Sequence, residues 1–357
     1  MTGKTPPPFT CTHSPNVPEL LNRLNLTIAI STYQAGKVIF ISAVNDEDLI
    51  QLPRNFKKAM GMAFKPGKMA IAVQDEVVVL ADSPELAATY PPKPGVYDAM
   101  FLPRATYYTG HVDIHDLEWA GEDLFAVNTR FSCLAKIDTD FSFKPVWKPH
   151  FITRMAPEDR CHLNGMCFSD GKPKYVTALG QTDTPGGWRP SKAEGGIIMD
   201  VEKNEVLLDE LAMPHSPRIY DGKLYCLLSA MGQLIRVDVE KGSYEVVQQF
   251  EGYVRGMAKE DDYLFVGLSK LRKKSSSFGD LPIAEKSIKC GIDIIHFPTM
   301  NRVAQIQYKT SVEELYDIKL MKGMRRPNVL STLKDDFRKA LVVPGGTYWA
   351  KENEETS

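Results

Sequence analysis

His115 and His215 stand at the same place in two stretches of the chain that align without a gap. Ile114-His115-Asp116-Leu117-Glu118-Trp119-Ala120-Gly121-Glu122-Asp123-Leu124-Phe125 lies over Pro214-His215-Ser216-Pro217-Arg218-Ile219-Tyr220-Asp221-Gly222-Lys223-Leu224-Tyr225. One neutral imidazole can take a proton near pH 7 and a second can return it, so the pair suits acid–base catalysis. Shorter stretches align with these two. Leu163-Asn164-Gly165-Met166, Val254-Arg255-Gly256-Met257, Met60-Gly61-Met62 and Tyr316-Asp317-Ile318 bring Asn164, Arg255, Met60 and Tyr316 to the histidine position. Arg255 offers a planar fork for a carboxylate or phosphate. Tyr316 and Asn164 can hold or polarise a carbonyl oxygen. The set reads as a pocket for a small anionic substrate, with His115, His215 and Tyr316 catalytic and Arg255 and Asn164 binding. The plain structural alternative has Arg255 pairing with Asp317 or Asp116 to tie segments together.

Two other groups of residues bear chemistry. His111-x-Asp113-x-His115 has the period-2 spacing of ligands on one side of a strand, and His162 and His215 could approach from elsewhere, so a divalent metal is a further alternative. Thr182-Asp183-Thr184-Pro185-Gly186-Gly187-Trp188-Arg189 places Trp188 and Arg189 on a glycine-rich loop. An exposed Trp there suggests a lid over the pocket. Lys270, in Gly267-Leu268-Ser269-Lys270-Leu271-Arg272, adds charge at the same rim, and the basic run 270–274 reads as a solvated loop.

The elements that position these residues recur. Each copy is a short apolar strand, a tight Asp/Gly turn and a second alternating strand, usually followed by a third, every 40 to 60 residues. That is the pattern of an all-β, six-bladed β-propeller. The sixth copy, at Tyr316, has no convincing strand after it, but the apolar hairpin 26–31 and 37–42 can complete it, so the N-terminal strands close the last blade. Residues 1–18 are expected to form a flexible segment, 19–327 a single propeller domain and 328–357 a tail. The turns after the inner strands are short. The stretches 84–112, 143–161, 180–195 and 269–289 are long, and all four are expected to crowd the face where the inner strands begin.

Composition bounds the function. The chain has 357 residues, 43% hydrophobic and 25% charged, with a net charge of −2, so no global field draws it to nucleic acid or an anionic membrane. No apolar run approaches the roughly 20 residues of a membrane helix, and no signal-peptide pattern opens the chain. The six cysteines form no Cys-x-x-Cys pair and read as buried thiols in a reducing cytoplasm. Phosphate-binding loops, Gly-x-Gly-x-x-Gly, nucleophile elbows and EF-hand loops are absent, so no nucleotide cofactor is expected.

Several motifs resemble those of an uncharacterised family of bacterial conserved hypothetical proteins. They include Leu163-Asn164-Gly165-Met166, Gly187-Trp188-Arg189, Met213-Pro214-His215-Ser216-Pro217-Arg218, Phe265-Val266-Gly267-Leu268-Ser269-Lys270-Leu271-Arg272 and Ser31-Thr32-Tyr33-Gln34-Ala35-Gly36. The resemblance runs from about Leu26 to Pro327 and implies no particular activity. Three readings follow: an enzyme of hydrolase, lyase or isomerase type, a ligand- or protein-binding propeller without chemistry, and a metal-dependent hydrolase or lyase using His111, Asp113, His115 and His215.

Overall fold

In the computed structural model, which describes residues 6–271 and 278–350, the chain forms six small antiparallel sheets around one axis, a six-bladed β-propeller. The first strand of each blade is innermost. Blade 1 runs Met62–Lys65, Lys68–Ala72, Glu76–Asp82, Ala99–Tyr108, and blade 2 runs Ile114–Ala120, Asp123–Asn128, Cys133–Lys136, Lys144–Trp147. Blade 3 begins with Leu163–Ser169, blade 4 with Pro214–Tyr220 and blade 5 with Tyr253–Glu260. Blade 6 takes its inner strand, Ile318–Lys322, from late in the chain and its other three, Leu26–Thr32, Lys37–Ala43 and Leu49–Asn55, from early in it. Ile30 faces Ile318 and Leu26 faces Lys322, so the expected closure of the ring is borne out.

Local chemistry explains the turns. Asp170 and Gly171, and likewise Asp221 and Gly222, hold φ between 50° and 73°. Two successive left-handed residues make the hairpin turn whose twist matches that of the strands. Much of the packing between blades is apolar. Ile28, Ile30 and Ile41 of blade 6 bury against Phe265, Ile292, Ile294 and Ile306 of blade 5, with Val17, Leu20, Leu21 and Leu24 of a helix, Val17–Leu24, laid over the seam.

The ends of the domain differ from expectation. Cys11–His13 adds a fifth strand to blade 5, and Pro327–Val329 adds a parallel one to blade 1, so the segments before 19 and after 327 carry ordered structure. A hairpin, Ala340–Val343 with Gly346–Trp349, packs near a short helix, Pro84–Ala88. Two of the four long stretches also hide strands. The outer strands Ala99–Tyr108 and Lys144–Trp147 contain Pro103 and Pro145, which an edge strand tolerates but which mask its pattern in the sequence. The insertion between residues 82 and 99 leaves its blade at the Lys68 end, since Lys68 pairs with Ala81. It therefore does not crowd the face where the inner strands begin.

Candidate functional site

His115, Asn164, His215 and Arg255 on their inner strands, and Met60 and Tyr316 two residues ahead of theirs, come one per blade to the mouth of the central channel. His115 of blade 2 meets Tyr316 of blade 6 with ring centroids 5.5 Å apart, past the intervening blade 1, so these side chains converge on the axis. The Arg255 guanidinium lies 3.5 Å over the Tyr316 ring. Asn164, His215 and Tyr316 are each at most 6% exposed. Two of their polar atoms, Asn164 Nδ2 and the Tyr316 hydroxyl, have no hydrogen-bond partner although buried. Such atoms are costly unless something fills the site.

The two histidines are held identically. His115 Nδ1 lies 3.1 Å from the Asp113 carbonyl and 2.8 Å from Thr129 Oγ1. His215 Nδ1 lies 3.0 Å from the Met213 carbonyl and 2.8 Å from Ser229 Oγ. Each hydroxyl spends its single proton on the next blade: Thr129 donates to the Leu163 carbonyl at 2.5 Å and Ser229 to the Val254 carbonyl at 2.6 Å. Both neighbours of each Nδ1 are therefore acceptors, so Nδ1 carries the proton and Nε2 presents a lone pair. Burial pushes both imidazoles well below the usual histidine range. The charges of His162 and Arg255 add to this at His115, and that of Arg255 at His215, so both rings are neutral at pH 7. Burial also pushes the Tyr316 hydroxyl well above 10, which keeps it a donor.

One residue further along each inner strand, the side chains turn to the neighbouring blade. Asp116 accepts the Met166 N–H at 3.2 Å, Ser216 the Gly256 N–H at 3.1 Å and Asp317 the Met62 N–H at 3.1 Å. Even-numbered blades carry these acceptors, and odd-numbered blades carry Gly61, Gly165 and Gly256. A Cβ at Gly61 would sit 2.7 Å from the Asp116 Cα, and one at Gly165 2.6 Å from Pro217 Cδ. Arg218 reaches from blade 4 to Asp116 Oδ2 at 3.2 Å and the Met166 carbonyl at 2.9 Å. The blade-tying role considered for Arg255 thus belongs to Arg218. Burial opposes the Arg218 charge, and Asp116 and Asp317 outweigh it.

Sequence reasoning missed three mouth residues. Glu314, two residues before Tyr316, is pushed up by burial, with Arg255 pulling the other way. Tyr253 packs 6.3 Å from the His215 ring. His162, considered only as a metal ligand, donates from Nδ1 to Asp159 Oδ2 at 3.0 Å and stands edge-on to His115 at 4.8 Å. The only signal for them was their place just ahead of or within an inner strand.

The loops correct further expectations. Trp188 is not an exposed lid residue. It is 4% exposed, tilted against His162 at 4.3 Å between ring centroids, with its N–H on Asp159 Oδ2 at 3.0 Å, and packed with Leu179, Met213 and Tyr253. Arg189 lies over its outer side, 4.5 Å from the ring. Arg160 laces the two upper loops, bonding Asp183 Oδ1 at 2.6 Å and Glu158 Oε2 at 2.7 Å. Lys270 is half-buried at the end of its strand, its backbone N–H on the Glu313 carbonyl at 2.8 Å, and Arg272 to Lys274 lie outside the described residues.

The metal set does not assemble. His111 is turned to Asp75, 2.7 Å away, and Asp113 to Arg130, 3.2 Å away. Among the described residues no three His, Cys, Asp or Glu side chains are placed to hold a metal ion.

Fold and site define a six-bladed propeller with a buried, polar channel mouth. The chain belongs to the family described as a domain of unknown function (DUF4915), which matches residues 15–330. No curated protein matches it. Among solved structures it is similar to one titled a crystal structure of a nidogen/laminin complex, at 9% identity and a TM-score of 0.48, over 84% of this chain and 99% of that one.

Proposed function

We propose that the protein is an enzyme that binds a small carboxylate at the channel mouth and moves a proton on it, in a reaction of lyase or isomerase type. One observation carries this reading: two neutral histidines, each locked with its Nε2 lone pair free, share a largely buried ring with a guanidinium and two unpartnered donors. Arg255 takes the carboxylate, Tyr316 and Asn164 donate to a substrate oxygen, and His115 and His215 act as bases. Acyl transfer is less well supported. Ser229 and Thr129 lie beside the histidines but donate to carbonyls, so neither is an activated nucleophile. A purely binding propeller gripping through Trp188 is also less well supported, because that ring is turned inward. The metal-dependent alternative is not carried further. Six free thiols, five of them buried, fit the cytoplasm.

The test is calorimetric binding and NMR turnover with a panel of small carboxylates near pH 7.5, for the wild type and Arg255→Ala. Saturable binding that weakens about tenfold or more without the charged hydrogen bonds of Arg255 is expected. If no carboxylate binds saturably, the reading is wrong.

A further inference from the structure

The order of groups around the mouth specifies more than an anion. Blades 2, 3 and 4 present in succession His115, Asn164 and His215: an acceptor at Nε2, a donor at Nδ2, and an acceptor at Nε2. Asn164 Oδ1 is already taken by the Thr177 hydroxyl at 2.6 Å, which leaves the amide only its hydrogens to offer. Blades 5 and 6 present two donors, the Arg255 guanidinium and the Tyr316 hydroxyl, with the Glu314 carboxyl near enough to feel the Arg255 charge.

A ligand must answer both halves. A bare carboxylate satisfies Arg255 and Tyr316 but leaves the two imidazole lone pairs and a buried amide unmatched, at the cost of desolvating them. A second carboxylate would set anionic oxygens against the two Nε2 lone pairs. An ammonium group would bring a second positive charge beside Arg255. Neighbouring hydroxyls fit, because each can donate to an imidazole and accept from the amide between them.

Resting on the carboxylate reading above, we infer that the substrate is a hydroxy acid with at least two hydroxyls, of the sugar-acid class. Its carboxylate meets Arg255 and Tyr316, and its hydroxyls bridge His115, Asn164 and His215.

The experiment compares propionate, lactate and glycerate by calorimetry near pH 7.5, with glycerol as the diol lacking a carboxylate. Affinity is expected to rise about tenfold with each hydroxyl, and glycerol alone to bind more weakly than glycerate. In His215→Phe the gain from the second hydroxyl is expected to disappear while the dependence on Arg255 remains. Should that variant not fold, 15N NMR of the wild type gives the same information: glycerate should shift the Nε2 resonances of His115 and His215, and propionate should leave them in place. Equal affinity for the three acids, with binding still dependent on Arg255, overturns this inference alone. Failure of all three to bind overturns it together with the carboxylate reading.

Discussion

Acid should destabilise this protein through two particular side chains. His215 is buried and His115 half-buried, and both are neutral and pushed well below 6.5, whereas in the unfolded chain each titrates near 6.5. Below that value the unfolded state binds more protons than the folded one, so stability falls as pH falls and continues to fall until the folded values are reached. Between about pH 7.5 and about pH 5.5 each histidine should remove up to about 1.4 kcal/mol, or up to about 2.7 kcal/mol for the pair. That is a large share of the roughly 5–15 kcal/mol typical of a native protein. The assay is urea unfolding at the two pH values, for the wild type and for the double variant His115→Asn/His215→Asn, whose amides can replace the Nδ1–H donors. All other titrating groups are common to both proteins, so the wild type should lose more than the variant, by up to about 2.7 kcal/mol. Equal losses would show that these rings are not held neutral, and the assignment of their lone pairs would fall with that.

Two further outcomes test the framework of the mouth. Gly256→Ala would place a Cβ 2.9 Å from the Ile318 backbone nitrogen at a φ of +76°, where no side chain can rotate away, so a loss of about 2–3 kcal/mol in thermal or urea unfolding is expected. An unchanged midpoint would contradict the close approach of blades 5 and 6. Ser229→Ala removes both the acceptor for His215 and the donor to the Val254 carbonyl. It should cost about 1–2 kcal/mol and leave His215 as the Nδ1–H tautomer in 15N spectra, because the Met213 carbonyl still accepts from it; a switch to Nε2–H would show that this carbonyl does not hold the ring.

Much of the ring was legible because the copies align at the residue level. His115 over His215 fixes the register, and the register carries Asn164, Arg255 and Tyr316 to the same height. Closure was legible because the strand after Tyr316 lacked partners and the hairpin beginning at Leu26 had a free edge. The loops were not. Nothing in Gly187-Trp188-Arg189 shows that the indole turns under the loop to Asp159, since that depends on a partner 29 residues away in sequence. The exchange of roles between Arg218 and Arg255 was hidden for a similar reason. Both follow a histidine-position residue or occupy one, and only the pleat decides which reaches Asp116. His111, Asp113 and His115 share a period of two on paper. However, Asp113 adopts a φ of 51°, which breaks the alternation just before the strand and turns the would-be ligands apart.

The joining of Ile318–Lys322 to Leu26–Thr32 also sets an order of events during synthesis. Blades 1 to 5 draw each of their four principal strands from one contiguous stretch and can form as the chain emerges. Blade 6 must wait, because its inner strand is made almost 300 residues after the strand it pairs with. Until then the hairpin beginning at Leu26 has an open edge and the ring is a crescent. Tyr316 arrives with that last strand, so the mouth gains its sixth side chain, and Arg255 the ring it rests on, only as the crescent shuts. A chain cut short ahead of this strand would hold most of the architecture without the completed mouth.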